Sequence, residues 1–292
     1  MSIGRRTFMI RLSAFADEAS PSLDGQIAAM KRNGIDYLEI RGVNGENISN
    51  ISFENARIYA DQLAEAGIKV WSIGSPIGKV KISSDLEEHR NKLRHICELA
   101  KIFGTDKVRI FSFFEAYECE DKVFSELSEM VRIAAEYGVG LYHENEKHIY
   151  GDTLERVLRI MDRVEGLKFV YDPANFLEVG EDSEKTLEAL HSRTDYFHIK
   201  DVISETRTLV PAGHGDGRID ELIARISPDE DKTLTLEPHL KVFKGYAEID
   251  ATEMKNKFEY ATNDDAFDAA AQALISLIKA QGYKKVEGGY NK

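Results

Sequence analysis

Residues 22–41, SLDGQIAAMKRNGIDYLEIR, decide how the rest of the chain is read. Leu23, Ile27 and Met30 recur at the three- and four-residue spacing that lines one helix face, and Gly34 stands where a helix needs a residue able to end it. DYLEIR follows at once, with the composition of a strand. One unit of helix, glycine and strand is complete in this stretch.

The same cadence runs along the chain. Eight β-rich runs occur: FMIRLSAF, DYLEIR, IKVWSIG, DKVRIFSFF, GLYHEN, LKFVYD, DYFHIK and TLTLEP. Amphipathic stretches such as ENARIYADQLAEAG, DLEEHRNKLRHICELAKIFG and SELSEMVRIAAEYG separate them, several ending in glycine (Gly34, Gly67, Gly104, Gly138). Strand then helix, eight times over, predicts an α/β fold with a parallel sheet closed into a (βα)8 TIM barrel with outer helices. No Gly-x-Gly-x-x-Gly follows the first strand, which argues against a dinucleotide-binding open sheet. A single domain over 1–292 is expected, with the barrel at about 8–282 and a polar tail, 283–292, that frays. Segments 202–222 and 240–255 lack clear helical periodicity at first and read as long loops over the barrel mouth.

Composition narrows the partners. Of 292 residues, 42% are hydrophobic and 30% charged, as in ordinary globular proteins. Lys and Arg number 38 against 51 Asp and Glu, a net charge of −13 that repels nucleic acid and anionic membranes, so neither is an expected partner. Cys97 and Cys119 form neither a metal-type pair nor a disulfide framework, which fits a reducing cytoplasm. Arg11, Asp17 and Glu18 interrupt the early apolar stretch, so no signal segment is expected, and no window approaches a membrane span.

Chemistry-bearing residues gather at strand ends. Strand five ends in His143-Glu144-Asn145-Glu146, strand six in Tyr171-Asp172-Pro173-Ala174-Asn175, strand seven in His198-Ile199-Lys200-Asp201 and strand eight in Glu237-Pro238-His239. In a (βα)8 barrel these ends converge on one mouth. A single strand-end carboxylate is usually a helix cap, but four neighbouring strands each end in a potential ligand. Three carboxylates brought together need protons or a cation between them, and an imidazole completes a binding set. Oxygen-rich ligation with one nitrogen suits one divalent metal ion, Mn2+ first, with Mg2+, Co2+ or Zn2+ as alternatives.

The order LYHEN, VYDPAN, FHIKD, PAGHGDGRID and TLEP, with the opening SAFADEASPSLDGQIAAMKRNGIDYLEIR, resembles the xylose isomerase-like TIM-barrel superfamily, in particular its sugar phosphate isomerases and ketose 3-epimerases. The resemblance spans nearly the whole chain. It implies that Glu144, Asp172, His198 and Glu237 hold the metal, and that Glu144 and Glu237 are catalytic, one removing a proton alpha to a carbonyl and the other returning one. A Lewis acid stabilises the enediolate while a carboxylate in reach accepts the proton, which explains the residue types. The expected activity is a metal-dependent isomerase or epimerase acting on a small ketose, sugar phosphate or polyol.

Other reactions stay open at this point. The same enediolate can expel a leaving group, giving a lyase of the inosose-dehydratase or carbon-glycoside-cleaving kind. An endonuclease IV-like enzyme needs a histidine three residues after the strand-six aspartate, where this chain has Asn175. A non-catalytic sugar-binding barrel is the remaining reading. Barrels of this kind often pair, so a homodimer is carried as an expectation on that ground alone.

Around the ligands, Lys200 shares the parity of His198 and is expected either to bind a substrate oxygen or to offset the carboxylates. Arg207, Glu146, Asn175 and Trp71 complete the expected substrate contacts, Glu146 standing where many relatives have histidine. Glu39, Arg41, Ser75 and Arg109 also fall where they could line the pocket. His143 and His239 are expected behind the ligands or in the core. The run GHGDG reads as a phosphate cradle or, by preference, as the turn into the next helix, with His214 ambiguous. Three carboxylates and one dication leave a charge near minus one, which favours a neutral sugar unless Lys200 and Arg207 compensate.

Overall fold

The computed structural model describes residues 8–243 and 258–292. Eight parallel strands form a closed barrel: β1 (Ile10–Ala14), β2 (Tyr37–Ile40), β3 (Lys69–Gly74), β4 (Lys107–Ile110), β5 (Gly140–Glu144), β6 (Lys168–Tyr171), β7 (Tyr196–Ile199) and β8 (Lys232–Leu236). Closure is the pairing of β1 with β8, which runs in register from Ile10↔Lys232 to Ala14↔Leu236. The (βα)8 architecture expected from the alternation is therefore the one observed.

Helices surround the barrel and are cut where the sequence marks them. The helix α1 (Leu23–Asn33) starts on Ser22, whose side chain accepts from the Gly25 amide, and stops at Gly34 with φ 62°. The following helix, α2 (Phe53–Glu65), turns Ala56 and Leu63 inward. In α3 (Leu86–Phe103), capped by Asp85, the buried face carries Leu93, Ile96, Cys97, Ala100 and Phe103. Each fully buried Leu, Ile or Phe of this kind contributes roughly 1.5–3 kcal/mol. Burial raises the Cys97 thiol to about 12, so it serves as a packing group rather than a nucleophile.

Two expectations about chain segments change. The tail pairs instead of fraying: Lys284–Val286 and Gly289–Asn291 form a hairpin whose second strand meets β1 antiparallel at Ile10↔Tyr290. Tyr283 and Tyr290 are buried there, and that apolar area outweighs the glycine-rich composition of the end. The segment after β7 holds a hairpin, Asp201–Ile203 with Thr208–Val210, before the short helix Ile219–Ala224. Most of the segment 240–255 lies outside the described residues. Among the described residues no helix is long and apolar enough to cross a membrane.

Candidate metal centre

Strand parity builds the site. Tyr142, Val170 and Tyr196 pack together inside the barrel, with Trp71 against them, and the residues two positions further along each strand are Glu144, Asp172 and His198. Glu237 joins them from the end of β8. One ligand-type atom from each of the four lies within 4.8 Å of the others, and all four side chains are buried.

The imidazole of His198 is the hub. Its Nδ1 is 2.9 Å from Glu144 Oε1 and 3.1 Å from Glu237 Oε2, while Nε2 is 3.2 Å from Glu39 Oε2. Glu39 is anchored in turn by Tyr196 Oη at 2.9 Å and Thr235 Oγ1 at 3.0 Å, both donating to it. A proton on Nδ1 can serve only one of the two carboxylates facing it. Glu237 Oε2 is left without an aligned hydrogen bond, and so is Asp172 Oδ2, although Lys200 Nζ stands 3.0 Å from it as an ion pair. Orphaned buried oxygens are costly unless something positive lies between them. With Nε2–H turned to Glu39, Nδ1 is free to ligate, the usual carboxylate–histidine–metal arrangement. The donor set fits a divalent cation.

Electrostatics carry the same message. Burial first, and then the neighbouring Glu144 and Glu237, raise Asp172 to about 7 against the pull of Lys200. Burial also disfavours a charged His198, yet Glu144 and Glu39 outweigh it and hold the ring well above its ordinary value. Glu237 moves the other way, because Lys200, His198 and His239 overcome its burial and keep it well below the usual carboxylate range. Without an ion, protons and Lys200 are what separate these carboxylates.

The expected substrate contacts divide into two groups. Lys200 donates to Asn175 Oδ1 at 2.8 Å, and Asn175 donates to the Asn145 carbonyl at 2.9 Å and lies 3.5 Å from Glu144 Oε1, so both are within the cluster. Glu146 lies at its edge, paired with Lys79 at 2.9 Å and held below the usual carboxylate range because Lys79 and Lys200 outweigh its burial. Arg207 does not reach the cluster: it is exposed at the tip of the 201–210 hairpin with φ 53°. Trp71 stands apart from the cluster as well. Its ring meets Tyr37 and Tyr196 edge-on at 6.3 and 5.9 Å and lines a cavity at the amino-terminal end of the strands, with Lys69, Gly67 and Lys107. A register shift between β2 and β3, where Leu38↔Val70 is followed by Glu39↔Ser72, makes Trp71 the extra residue, and it lies in the first half of β3, below the site.

The remaining motifs resolve as structure. His143 stacks on Phe169 outside the barrel and is lowered to about 3 by burial. His214 is exposed and meets Phe258 edge-on at 6.0 Å. The glycine-rich loop wraps Asp201, whose Oδ2 accepts from the Gly213 and Gly215 amides at 2.8 and 3.0 Å and whose Oδ1 accepts from Gly217 at 2.9 Å. Those amides are committed to an internal carboxylate, so the loop is a turn and not a phosphate cradle.

Residues read from the sequence only as possible pocket lining, or as lying behind the ligands, contact the cluster directly. Arg41 Nη1 donates to Glu237 Oε1 at 2.7 Å, Arg109 Nε lies 3.3 Å from Glu144 Oε2, and His239 Nε2 is 3.5 Å from Glu237 Oε1. Asp17, Glu18 and Lys79 were given no role at the site. The available signal was parity: Glu39 and Arg41 are charged residues two apart on a buried strand.

A closed (βα)8 barrel with a buried acidic and histidine cluster at the carboxyl ends of consecutive strands is a TIM barrel with a potential metal centre where such barrels carry their chemistry. The chain belongs to the xylose isomerase-like TIM barrel family, whose model matches residues 27–255. No curated protein sequence matches significantly. Among solved structures, the probable 3-DHS dehydratase AsbF of Bacillus anthracis superimposes with a TM-score of 0.70 at 18% identity, over 91% of this chain and 98% of that one. An L-ribulose 3-epimerase gives 0.71 at 16% identity, over 94% and 96%. The IolI protein with a bound zinc atom gives 0.67 at 17%, over 93% and 99%. At such identities the likeness is one of fold.

Proposed function

We propose that the protein is a divalent-metal-dependent sugar isomerase or epimerase that removes a proton alpha to the carbonyl of a small ketose or of a cyclic polyol ketone such as an inosose. The observation carrying this reading is that Glu144 and Glu237 each present one oxygen to His198 Nδ1, at 2.9 and 3.1 Å, from different strands. A divalent ion held by Glu144, Asp172, His198 and Glu237, with Mn2+ preferred, would polarise the substrate carbonyl and stabilise the enediolate charge. Glu144 and Glu237 are assigned the proton transfers, each keeping a second oxygen beyond the one aimed at the ligand position. Asn175 and Lys200 orient substrate hydroxyls, and Glu146 with Lys79 lines the rim.

A neutral substrate is favoured over a phosphorylated one. Lys79, Lys147 and Lys200 face Glu146, Glu178 and Asp172, and Arg41 and Arg109 face Asp17 and Glu144. No amide of the glycine-rich loop that binds Asp201 is available to a phosphate. The acidic net charge of −13 likewise supports a small carbohydrate over nucleic acid.

The test is an NMR screen of ketoses, their phosphates and inososes in deuterated water with Mn2+. Deuterium should enter a neutral ketose or inosose beside its carbonyl, and Glu144→Gln should abolish the exchange. Absence of exchange with every compound, in protein shown to hold the ion, overturns the reading.

One asymmetry favours the lyase as the second reading. The outer oxygen of Glu237 is hydrogen-bonded to Arg41 at 2.7 Å, whereas the outer oxygen of Glu144 meets Arg109 at 3.3 Å without alignment. Glu144 is thus the freer base, and one base is enough to eliminate water or an aglycone. Loss of water from the labelled substrate would decide for it.

A further inference from the structure

Glu237 belongs to two clusters. Its Oε2 faces His198, while Glu18, Glu237 and His239 bring a second set of ligand-type atoms within 4.8 Å of one another. A carboxylate shared in this way is how proteins bridge two cations. Here the second place is filled from within the chain. Arg41 reaches Glu237 Oε1 with Nη1 at 2.7 Å, Asp17 with Nε and Nη2 at 3.0 Å each, and Glu18 Oε1 with Nη2 at 3.3 Å. Its guanidinium carbon lies 4.2 Å over the Phe15 ring and 5.1 Å from that of Phe243. The His239 amide donates to Glu18 Oε2 at 2.8 Å, which keeps that carboxylate turned toward the arginine.

We propose that Arg41 is a built-in cation: it occupies the second position, confines the centre to one metal ion, and holds Glu237 so that a single oxygen faces that ion. The inference rests on the metal reading given above. Its physical basis is that Asp17, Glu18 and Glu237 are buried carboxylates around one point, and burying them without a positive charge is prohibitive. A guanidinium meets the requirement with a rigid fork of donors, stacked on an aromatic ring, where an ammonium would reach fewer partners. Remove it, and the same oxygens with the His239 imidazole form a vacant oxygen-and-nitrogen site for a dication.

Mn2+ stoichiometry of the full-length protein, from equilibrium dialysis with elemental analysis and electron paramagnetic resonance, tests this. Wild type should bind one Mn2+ even at saturation. Arg41→Ala should bind two, giving a spin-coupled signal, and guanidinium chloride should displace the second ion. Adding Glu18→Gln to Arg41→Ala should return the count to one. Two ions in wild type, or one in folded Arg41→Ala, would overturn the proposal while leaving the primary centre standing. No ion in wild type would remove both. Arg41→Met, which keeps the side chain's bulk over Phe15, carries the same two outcomes if the alanine variant does not fold.

Discussion

Glu39 and His198 meet inside the barrel with Oε2 and Nε2 3.2 Å apart, and neither side chain is exposed to solvent. The contact links the ends of β2 and β7 and would determine which ring nitrogen carries the proton if the other held a metal ion. A histidine without this carboxylate could present either tautomer.

Glu39→Gln keeps the shape but removes the charge that holds Nε2 protonated. Mn2+ affinity should fall about 10–100-fold, with an unchanged circular dichroism spectrum. Titration calorimetry gives the affinity directly. Binding as tight as wild type would show that the pair only fills space.

A pH dependence follows from the ion-free cluster. Asp172, raised from 3.8 to about 7, stabilises the fold while protonated, so its contribution is present below 3.8 and is lost as pH rises through about 7. His198, raised well above 6.5, acts in the same sense over a higher window. Glu39 and Glu237 are held low, and their contributions are lost only as pH falls below 4.5. Buried His143, held at about 3, opposes Asp172 and His198 only below its ordinary value of 6.5, so the melting temperature of ion-free protein should drop between about pH 6.5 and pH 8, and the gain from saturating Mn2+ should grow over the same range. Differential scanning calorimetry checks both, and a gain independent of pH would contradict the assignment.

Asp201→Ala should destabilise the protein by about 2–4 kcal/mol, because the Val202, Gly213, Gly215 and Gly217 amides all lose their acceptor. Gly215→Ala should act in the same direction, since its Cβ would lie 2.4 Å from Asp201 Oδ1 and 2.6 Å from the Val202 carbonyl. Urea unfolding measures these losses. A cost under about 0.5 kcal/mol for Asp201→Ala would mean that water replaces the carboxylate.

At the other end of the barrel, Trp71→Phe should leave Mn2+ affinity unchanged, because the ring packs below the site against Tyr196. Tyr290→Ala should cost about 3 kcal/mol by emptying the seat of the terminal hairpin on β1. Metal titration and thermal melts on the two variants separate the roles. A shift in metal affinity with Trp71→Phe would return that residue to the site.

The fold was legible because its signals are local. Gly34 and Gly104 end helices at the spacing where a strand begins, and both take positive φ in the structure, at 62° and 72°. The ring of potential ligands was legible for a related reason: in a barrel, position on a strand determines both height and face, so Glu144, Asp172, His198 and Glu237 could be selected from strand ends alone. The tail was misread because its composition says nothing of the edge of β1 that it meets.

The sequence by itself determined the eightfold alternation and which four strands end in the potential ligands. Only the tertiary structure decided which of those groups touch. Glu39 and His198 are 159 residues apart and Arg41 and Glu237 are 196 apart, and both pairs depend on the register around the closed barrel. A single shift in that register leaves Trp71 without a partner on β2. Parity is a property of one strand, whereas the level at which strands meet is set by hydrogen bonding between them, and no local pattern encodes it.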